Sequence, residues 1–136
     1  MSKNNCRKIS LKIIATLSFA LAATTTNAFT FTNQTNEYVT FFVNKTICSS
    51  TTEKGLLKPN SVTHFTVREL EDLCVDSLRN CQLVISPTSN CSNISIGEAT
   101  IDPDTGIQQV TSYPGNYTYE LNYHTNAIVM SYFPGK

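Results

Sequence analysis

The sequence predicts an all-β protein, a small disulfide-stapled β-sandwich or barrel of about eight short strands with one short helix at about 67–75. Three observations lead there. Apolar and polar residues alternate in short runs from Phe29 onward, the period of a strand buried on one face. Turn-forming Pro, Gly, Asn and Asp separate the runs at roughly 8–12-residue intervals, the rhythm of a sandwich. Cys48, Cys74, Cys81 and Cys91 form an even set in a small domain that gains from covalent staples.

A leader precedes the first strand. Lys3, Arg7, Lys8 and Lys12 are followed by an apolar run of eleven residues, Ile13 to Ala23, and then by Thr24-Thr25-Thr26-Asn27-Ala28, whose small side chains suit a signal peptidase. Eleven apolar residues fall short of the ~20 that a spanning helix needs. Residues 1–28 are therefore expected to be a cleaved export signal, cut after Ala28, rather than an uncleaved interfacial anchor. Residues 29–136 are then a single β-rich domain with no membrane span. Cys6 lies ahead of the apolar run, so it leaves with the leader and is not a lipoprotein-type cysteine.

The elements follow in order. Residues 29–32 and 37–43 read as strands, with Val39, Phe41 and Val43 turned one way and Tyr38, Thr40 and Phe42 the other. Residues 48–55 are small and polar and read as a loop, and Pro59-Asn60 turns into a strand over 61–65. Thr66-Val67-Arg68-Glu69 has the form of a capping box, with Phe65 and Leu70 placed as a hydrophobic staple. Val67, Leu70, Cys74 and Leu78 then repeat at helical spacing. Strand patterns return at 81–86, 93–101, 107–112, 117–123 and 127–133. Within 93–101 the inward parity shifts from Ile94 and Ile96 to Ala99 and Ile101, which predicts a bulge at Gly97.

The cysteines are expected as two disulfides. No C-x-x-C pair occurs, and His64 and His124 are the only histidines, so a zinc site is the weaker reading. A regular hairpin of 81–86 on 91–96 would hold Cys81 and Cys91 roughly 16 Å apart, beyond the ~7 Å a disulfide spans. That favours Cys74–Cys81 and Cys48–Cys91, unless the chain between Cys81 and Cys91 is irregular.

Charge excludes some functions. The whole chain has 10 basic and 10 acidic residues, but beyond residue 28 the balance is 6 to 10, a net charge of −4. Such a domain suits neither nucleic acid nor an anionic membrane surface.

Candidate chemistry is sparse. His64 and His124 lack patterned Ser, Cys or Asp partners, and no G-x-S-x-G is present. Glu69, Glu71, Asp72 and Asp76 cluster on the helix; paired acids hydrolyse glycosides at set separations, but acids in a first turn also suit the helix dipole. Asp102-Pro103-Asp104-Thr105-Gly106 falls out of step with a calcium loop and reads as a turn. Tyr117, Tyr119 and Tyr123 share one face of a strand with Leu121, either as a binding row for a sugar or protein or as the core side of a hairpin. N-x-[ST] sequons occur at Asn33, Asn44, Asn90, Asn93 and Asn116. They matter only in a eukaryotic secretory pathway, whereas the short leader, rich in Ala and Thr, is bacterial in style.

Leu73-Cys74, Cys81-Gln82-Leu83-Val84-Ile85, Asn90-Cys91-Ser92, Ile96-Gly97 and Thr105-Gly106-Ile107 together resemble a pattern in small exported proteins of Legionella and related intracellular bacteria. The resemblance covers residues 73–110 and implies an oxidising compartment and disulfides, with no activity attached. The expected function is that of an exported, periplasmic or extracellular, non-catalytic β-sandwich that binds a protein or carbohydrate partner, through loops or through Tyr117, Tyr119 and Tyr123. It uses no cofactor or metal. A small secreted hydrolase and an envelope or pilus-like structural subunit are the alternatives.

Overall fold

Alternation in the first two apolar runs builds the centre of the molecule. Phe29 and Phe31 lie on β1 (Asn27–Asn33) and Phe41 on β2 (Thr40–Val43), and all three rings are fully buried between two sheets. Phe31 meets Phe41 edge-on at 5.3 Å, and Phe29 stacks on Phe65 at 4.8 Å. Such pairs add to the burial of their large apolar areas. The computed structural model describes residues 27–74, 79–92, 94–102 and 104–134. Those residues form nine strands in two sheets, a sandwich without closure into a barrel.

After β2 come β3 (Ile47–Cys48), a 3₁₀ turn (Ser49–Thr51), β4 (Ser61–Thr66) and α1 (Val67–Leu73). β5 (Cys81–Ser86), β6 (Gly97–Asp102), β7 (Gly106–Ser112), β8 (Tyr119–His124) and β9 (Ala127–Tyr132) follow. One sheet runs β4-β1-β9-β8 and the other β3-β2-β5-β6-β7. The first and last strands, β1 and β9, pair in parallel at the centre of the four-stranded sheet, from Thr30 opposite Ala127 to Asn33 opposite Met130. Every other ladder is antiparallel.

Antiparallel order sorts the connections to two ends. At the loop end lie 34–39, 57–60, 87–92, 94–96 and 113–118; at the helix end lie 44–46, α1, 104–105 and 125–126.

The capping box forms as expected: the Thr66 hydroxyl accepts from the Glu69 amide at 3.1 Å, and Glu69 Oε1 accepts from the Thr66 amide at 3.0 Å. Phe65 and Leu70 are both buried there. α1 is described only to its cap at Cys74, so the expected helical positions Val75 and Leu78 lie outside the described residues, as do residues 1–26 of the expected leader. Its last two residues, Asn27 and Ala28, belong to β1.

Several expected boundaries move. The run 37–43 keeps only its second half as strand, and Val39 joins Leu57 through an isolated bridge. The expected loop 48–55 instead opens with Cys48 paired to Phe42 in β3. The expected bulge at Gly97 is absent: β6 begins at that residue, and its ladder with β5 is regular from Gly97 to Ile101. The apparent change of parity is the start of a strand, with Gly97, Ala99 and Ile101 all facing inward and buried. A Cβ on Gly97 would sit 2.5 Å from the Thr111 carbonyl oxygen and 2.7 Å from Leu121 Cδ1, so close packing demands glycine. The register shift lies further on, between Thr100 and Ile101 in the ladder with β7.

Cys48 is bonded to Cys91 and Cys74 to Cys81, each pair with Cα atoms 5.8 Å apart. The hairpin that argued for this pairing has a different register, since β5 pairs with 97–101 rather than 91–96. Cys81 still stands opposite Ile101 at the helix end, while Cys91 belongs to the connection at the loop end.

Candidate functional site

The loops at the loop end are pinned from below by buried polar side chains. Asn33 donates to the carbonyls of Glu37 at 2.7 Å and Lys58 at 3.0 Å, tying two connections together. Thr40 donates to the Thr88 carbonyl and accepts from the Cys91 amide, while Ser86 donates to the Ile94 carbonyl at 2.7 Å. These bonds hold 88–92 and Ile94 against the outer side of the five-stranded sheet, and the Cys48–Cys91 bridge ties the connection to β3. Buried polar groups satisfied in this way give irregular backbone one fixed conformation.

The connection from β7 to β8 is held by Asn116. Its Nδ2 donates to the Tyr119 carbonyl at 2.6 Å and to Ser112 Oγ at 3.1 Å, and its Oδ1 accepts from the amides of Thr118 and Tyr119. Tyr117 stands on this braced loop with 73% of its surface exposed. Ile94 at 58% and Tyr38 at 45% are the other large apolar side chains exposed on loops of this end. Among the described residues, the remaining large apolar side chains with comparable exposure, Ile47, Val62 and Tyr123, stand on strands.

Two further tyrosines flank Tyr117. The Tyr113 hydroxyl donates to Glu98 Oε2 at 3.0 Å, and the same oxygen accepts from Gln82 Nε2 at 2.7 Å. Burial, then the bond to Glu98 and its charge, raise the Tyr113 pKa above the ordinary phenol value. Tyr119 stacks on Tyr132 at 5.6 Å, and the Tyr132 hydroxyl accepts from the Asn36 amide at 3.0 Å. Burial, with Glu37 and Tyr132 nearby, raises the Tyr119 pKa as well.

The expected row of Tyr117, Tyr119 and Tyr123 is therefore divided. Tyr117 precedes β8 and points out from the loop, Tyr119 is half-buried against Tyr132, and Tyr123 lies near the helix end of the strand, opposite Ile128. Leu121 packs on the core cluster. Sequence reading missed Tyr38 and Ile94, and assigned Ile94 to the inward side of a strand. The polar run Pro87 to Ser95 was the available sign that Ile94 sits on a loop.

The other candidates are occupied or dispersed. His64 Nδ1 shares a hydrogen bond with Thr30 Oγ1 at 3.0 Å on the outer face of the four-stranded sheet. His124 lies on the same face, three strands away through Thr30 and Ala127, or about 14 Å at normal strand spacing. Glu69 pairs with Lys54 at 2.8 Å beside an open cleft of about 360 Å³ lined in part by Phe65, Asp72 and Leu73. The bond from Lys54 is the largest influence holding the Glu69 carboxyl below its ordinary value, against a smaller opposing effect of burial. Asp76 lies outside the described residues. Asp102 Oδ1 accepts from the amides of Asp104 and Thr105, so the expected Asp-Pro turn is closed by its own carboxylate, though Pro103 itself lies outside the described residues. Among the described residues, no three His, Cys, Asp or Glu side chains are grouped to hold a metal ion, and no helix is long and apolar enough to cross a membrane.

The sequons have a structural use. Asn33, Asn90 and Asn116 each accept, through Oδ1, the amide two residues on, so the Asn-x-Ser/Thr spacing here builds Asx turns. Asn33 is 1% exposed. Asn44 caps the Gln82 amide, and Asn93 lies outside the described residues.

No family model and no curated protein matches the sequence. Among solved structures, the crystal structure of the Legionella pneumophila type II secretion system substrate NttC matches with a TM-score of 0.60. The match covers 76% of this chain and 95% of that one at 22% identity. The two chains share a fold. NttC thus gives the sandwich a counterpart in Legionella, the genus to which the motifs in residues 73–110 had pointed.

Proposed function

We propose that this chain is an exported, non-catalytic interaction module that takes a protein partner at its loop end, with Tyr117 as the anchor. One observation carries the reading: a tyrosine 73% exposed on a loop that Asn116 braces through both its amide nitrogen and its oxygen. A preorganised aromatic side chain loses little conformational freedom on binding, which is why such residues dominate interfaces. Tyrosine alone suits either a sugar or a protein. Exposed Ile94 on the neighbouring connection favours the protein.

Export is supported by the basic and apolar leader, by two disulfides in a small domain, and by the fold shared with a secretion substrate. The non-catalytic reading is supported by the engagement of Glu69 with Lys54 and Thr66 and by the separation of His64 from His124. The test compares wild type with Tyr117→Ala and Ile94→Ser, measuring capture of partners from host-cell extract together with the thermal midpoint. Loss of a captured protein at an unchanged midpoint is expected. An unchanged set of captured proteins in both variants would sink the reading.

A further inference from the structure

The two disulfides differ in what surrounds them. Cys74 and Cys81 have no exposed surface, and both belong to the core cluster. Cys48 and Cys91 are each partly exposed. Cys48 stands on β3, the edge strand of its sheet, and Cys91 on the connection that carries Ile94. Thiol–disulfide exchange requires a thiolate to reach a sulfur atom, so access separates a labile bridge from an inert one.

Local contacts give the exposed bridge a direction of opening. The Ser50 hydroxyl donates to Cys48 Sγ at 3.2 Å, and a donor at that sulfur stabilises the thiolate it becomes on leaving. Cys91 Sγ lies 3.3 Å from the Phe41 carbonyl oxygen, which disfavours an anion there but accepts from a neutral thiol. Cys91 also holds φ at 55°, a left-handed conformation that a side chain disfavours. The bridge and the bond from the Cys91 amide to Thr40 keep it there. Cutting the bridge removes one of those two restraints.

We propose that Cys48–Cys91 is a thiol-reducible latch on the loop-end surface, while Cys74–Cys81 is a permanent staple. A thiolate of a reducing dithiol attacks Cys91 Sγ. A mixed disulfide forms, the Cys48–Cys91 bond breaks, and Cys48 leaves as a thiolate beside Ser50. The second sulfur of the dithiol then attacks its own half of the mixed disulfide and releases Cys91. The dithiol is oxidised to a disulfide, and the two protons it gives up leave both cysteines as thiols. The opened connection keeps its bonds with Thr40 and Ser86 but loses its covalent tie to β3, so Ile94 stands on a looser support. That consequence for binding rests on the loop-end reading; the difference in reactivity between the bridges does not.

The test treats the exported protein, purified without reductant, with dithiothreitol under native conditions and blocks free thiols with iodoacetamide at successive times. Peptide mapping gives the rate at each cysteine. Cys48 and Cys91 should be alkylated at least about tenfold faster than Cys74 and Cys81, whose exposure requires local opening of the core. Equal rates, or earlier labelling of Cys74 and Cys81, overturn the proposal. Ser50→Ala should slow reduction of Cys48–Cys91 about threefold, through a poorer leaving thiolate, and leave Cys74–Cys81 unchanged; an unaltered rate overturns the direction of attack. In protein reduced at Cys48–Cys91 alone, amide exchange over 88–92 should rise at least about tenfold, and further than over 113–118. A rise no larger than over 113–118 overturns the latch and leaves the binding reading standing. Conversely, unchanged capture by Tyr117→Ala and Ile94→Ser removes the binding reading and leaves the order of reduction in place.

Discussion

The two ends of the sandwich use their side chains in opposite ways. At the helix end, polar and charged groups serve one another. Thr66 and Glu69 cap α1, Lys54 joins Glu69 and the His64 carbonyl, and the Cys74–Cys81 bridge is buried at both cysteines. Among the described residues, the apolar side chains left exposed toward that end, Ile47 and Tyr123, stand on β3 and β8 at opposite edges of the sandwich. At the loop end, internal polar bonds hold connections that carry Tyr38, Ile94 and Tyr117 outward. Both ends are fixed, but among the described residues it is the loop end whose connections, rather than its edge strands, hold apolar side chains in water. Apolar groups on a rigid support are what a binding surface requires, so rigidity alone does not separate a structural end from a functional one.

The broadest way to break this contrast is through the core that both ends share. Phe41→Ala removes a ring that contacts Phe29, Phe31 and Phe65. It should cost about 3–5 kcal/mol in denaturant unfolding and loosen both ends together. The disulfides separate the ends. Cys48 and Cys91 are 43 residues apart and Cys74 and Cys81 only 7, so loop closure predicts a loss of about 4 kcal/mol for a Cys48→Ser, Cys91→Ser double variant and about 2 kcal/mol for Cys74→Ser, Cys81→Ser. Equal losses would show that residual structure in the unfolded chain outweighs closure entropy.

A smaller effect belongs to the helix end alone. Glu69→Gln removes the ion pair with Lys54 and weakens the box, at about 1 kcal/mol near neutral pH. Because folding lowers the Glu69 pKa, its contribution is present above the ordinary value of 4.5 and is lost as pH falls through the lower folded value. The gap between wild type and variant in thermal midpoint should therefore close on acidification; a gap that widens instead would contradict the assignment. Tyr117→Ala should move stability least, within about 0.5 kcal/mol, because the ring is mostly in solvent. A larger loss would assign Tyr117 to structure and remove the distinction between the ends.

Much of the fold was legible wherever neighbouring residues decide the outcome. Phe29, Phe31, Val39, Phe41 and Val43 announce their inward face by alternation, and all are buried. Thr66 and Glu69 announce the start of α1 because both halves of the box lie within one turn. β3 was not legible, since two residues have no period and become a strand only through Phe42 and Val43. Ile94 was misplaced for a related reason: its alternation with Ile96 matches a strand, yet Ser86 bonds to the Ile94 carbonyl and holds the residue in a loop. Tyr117 shares the parity of Tyr119, but Asn116 occupies the backbone groups that would have extended β8.

The order of the residues was sufficient for the class of fold, the inward faces of the longer strands, the helix start and the favoured sulfur pairing, because each depends on spacing along the chain. Tertiary structure alone decided that β1 lies beside β9, that Ala28 enters the core, and that one end keeps its aromatic and aliphatic side chains in solvent. Those outcomes depend on residues far apart in the chain, as Asn36 and Tyr132, 96 positions apart, are joined by a hydrogen bond. Their physical cause is the competition of whole surfaces for burial, which no local pattern of side chains records.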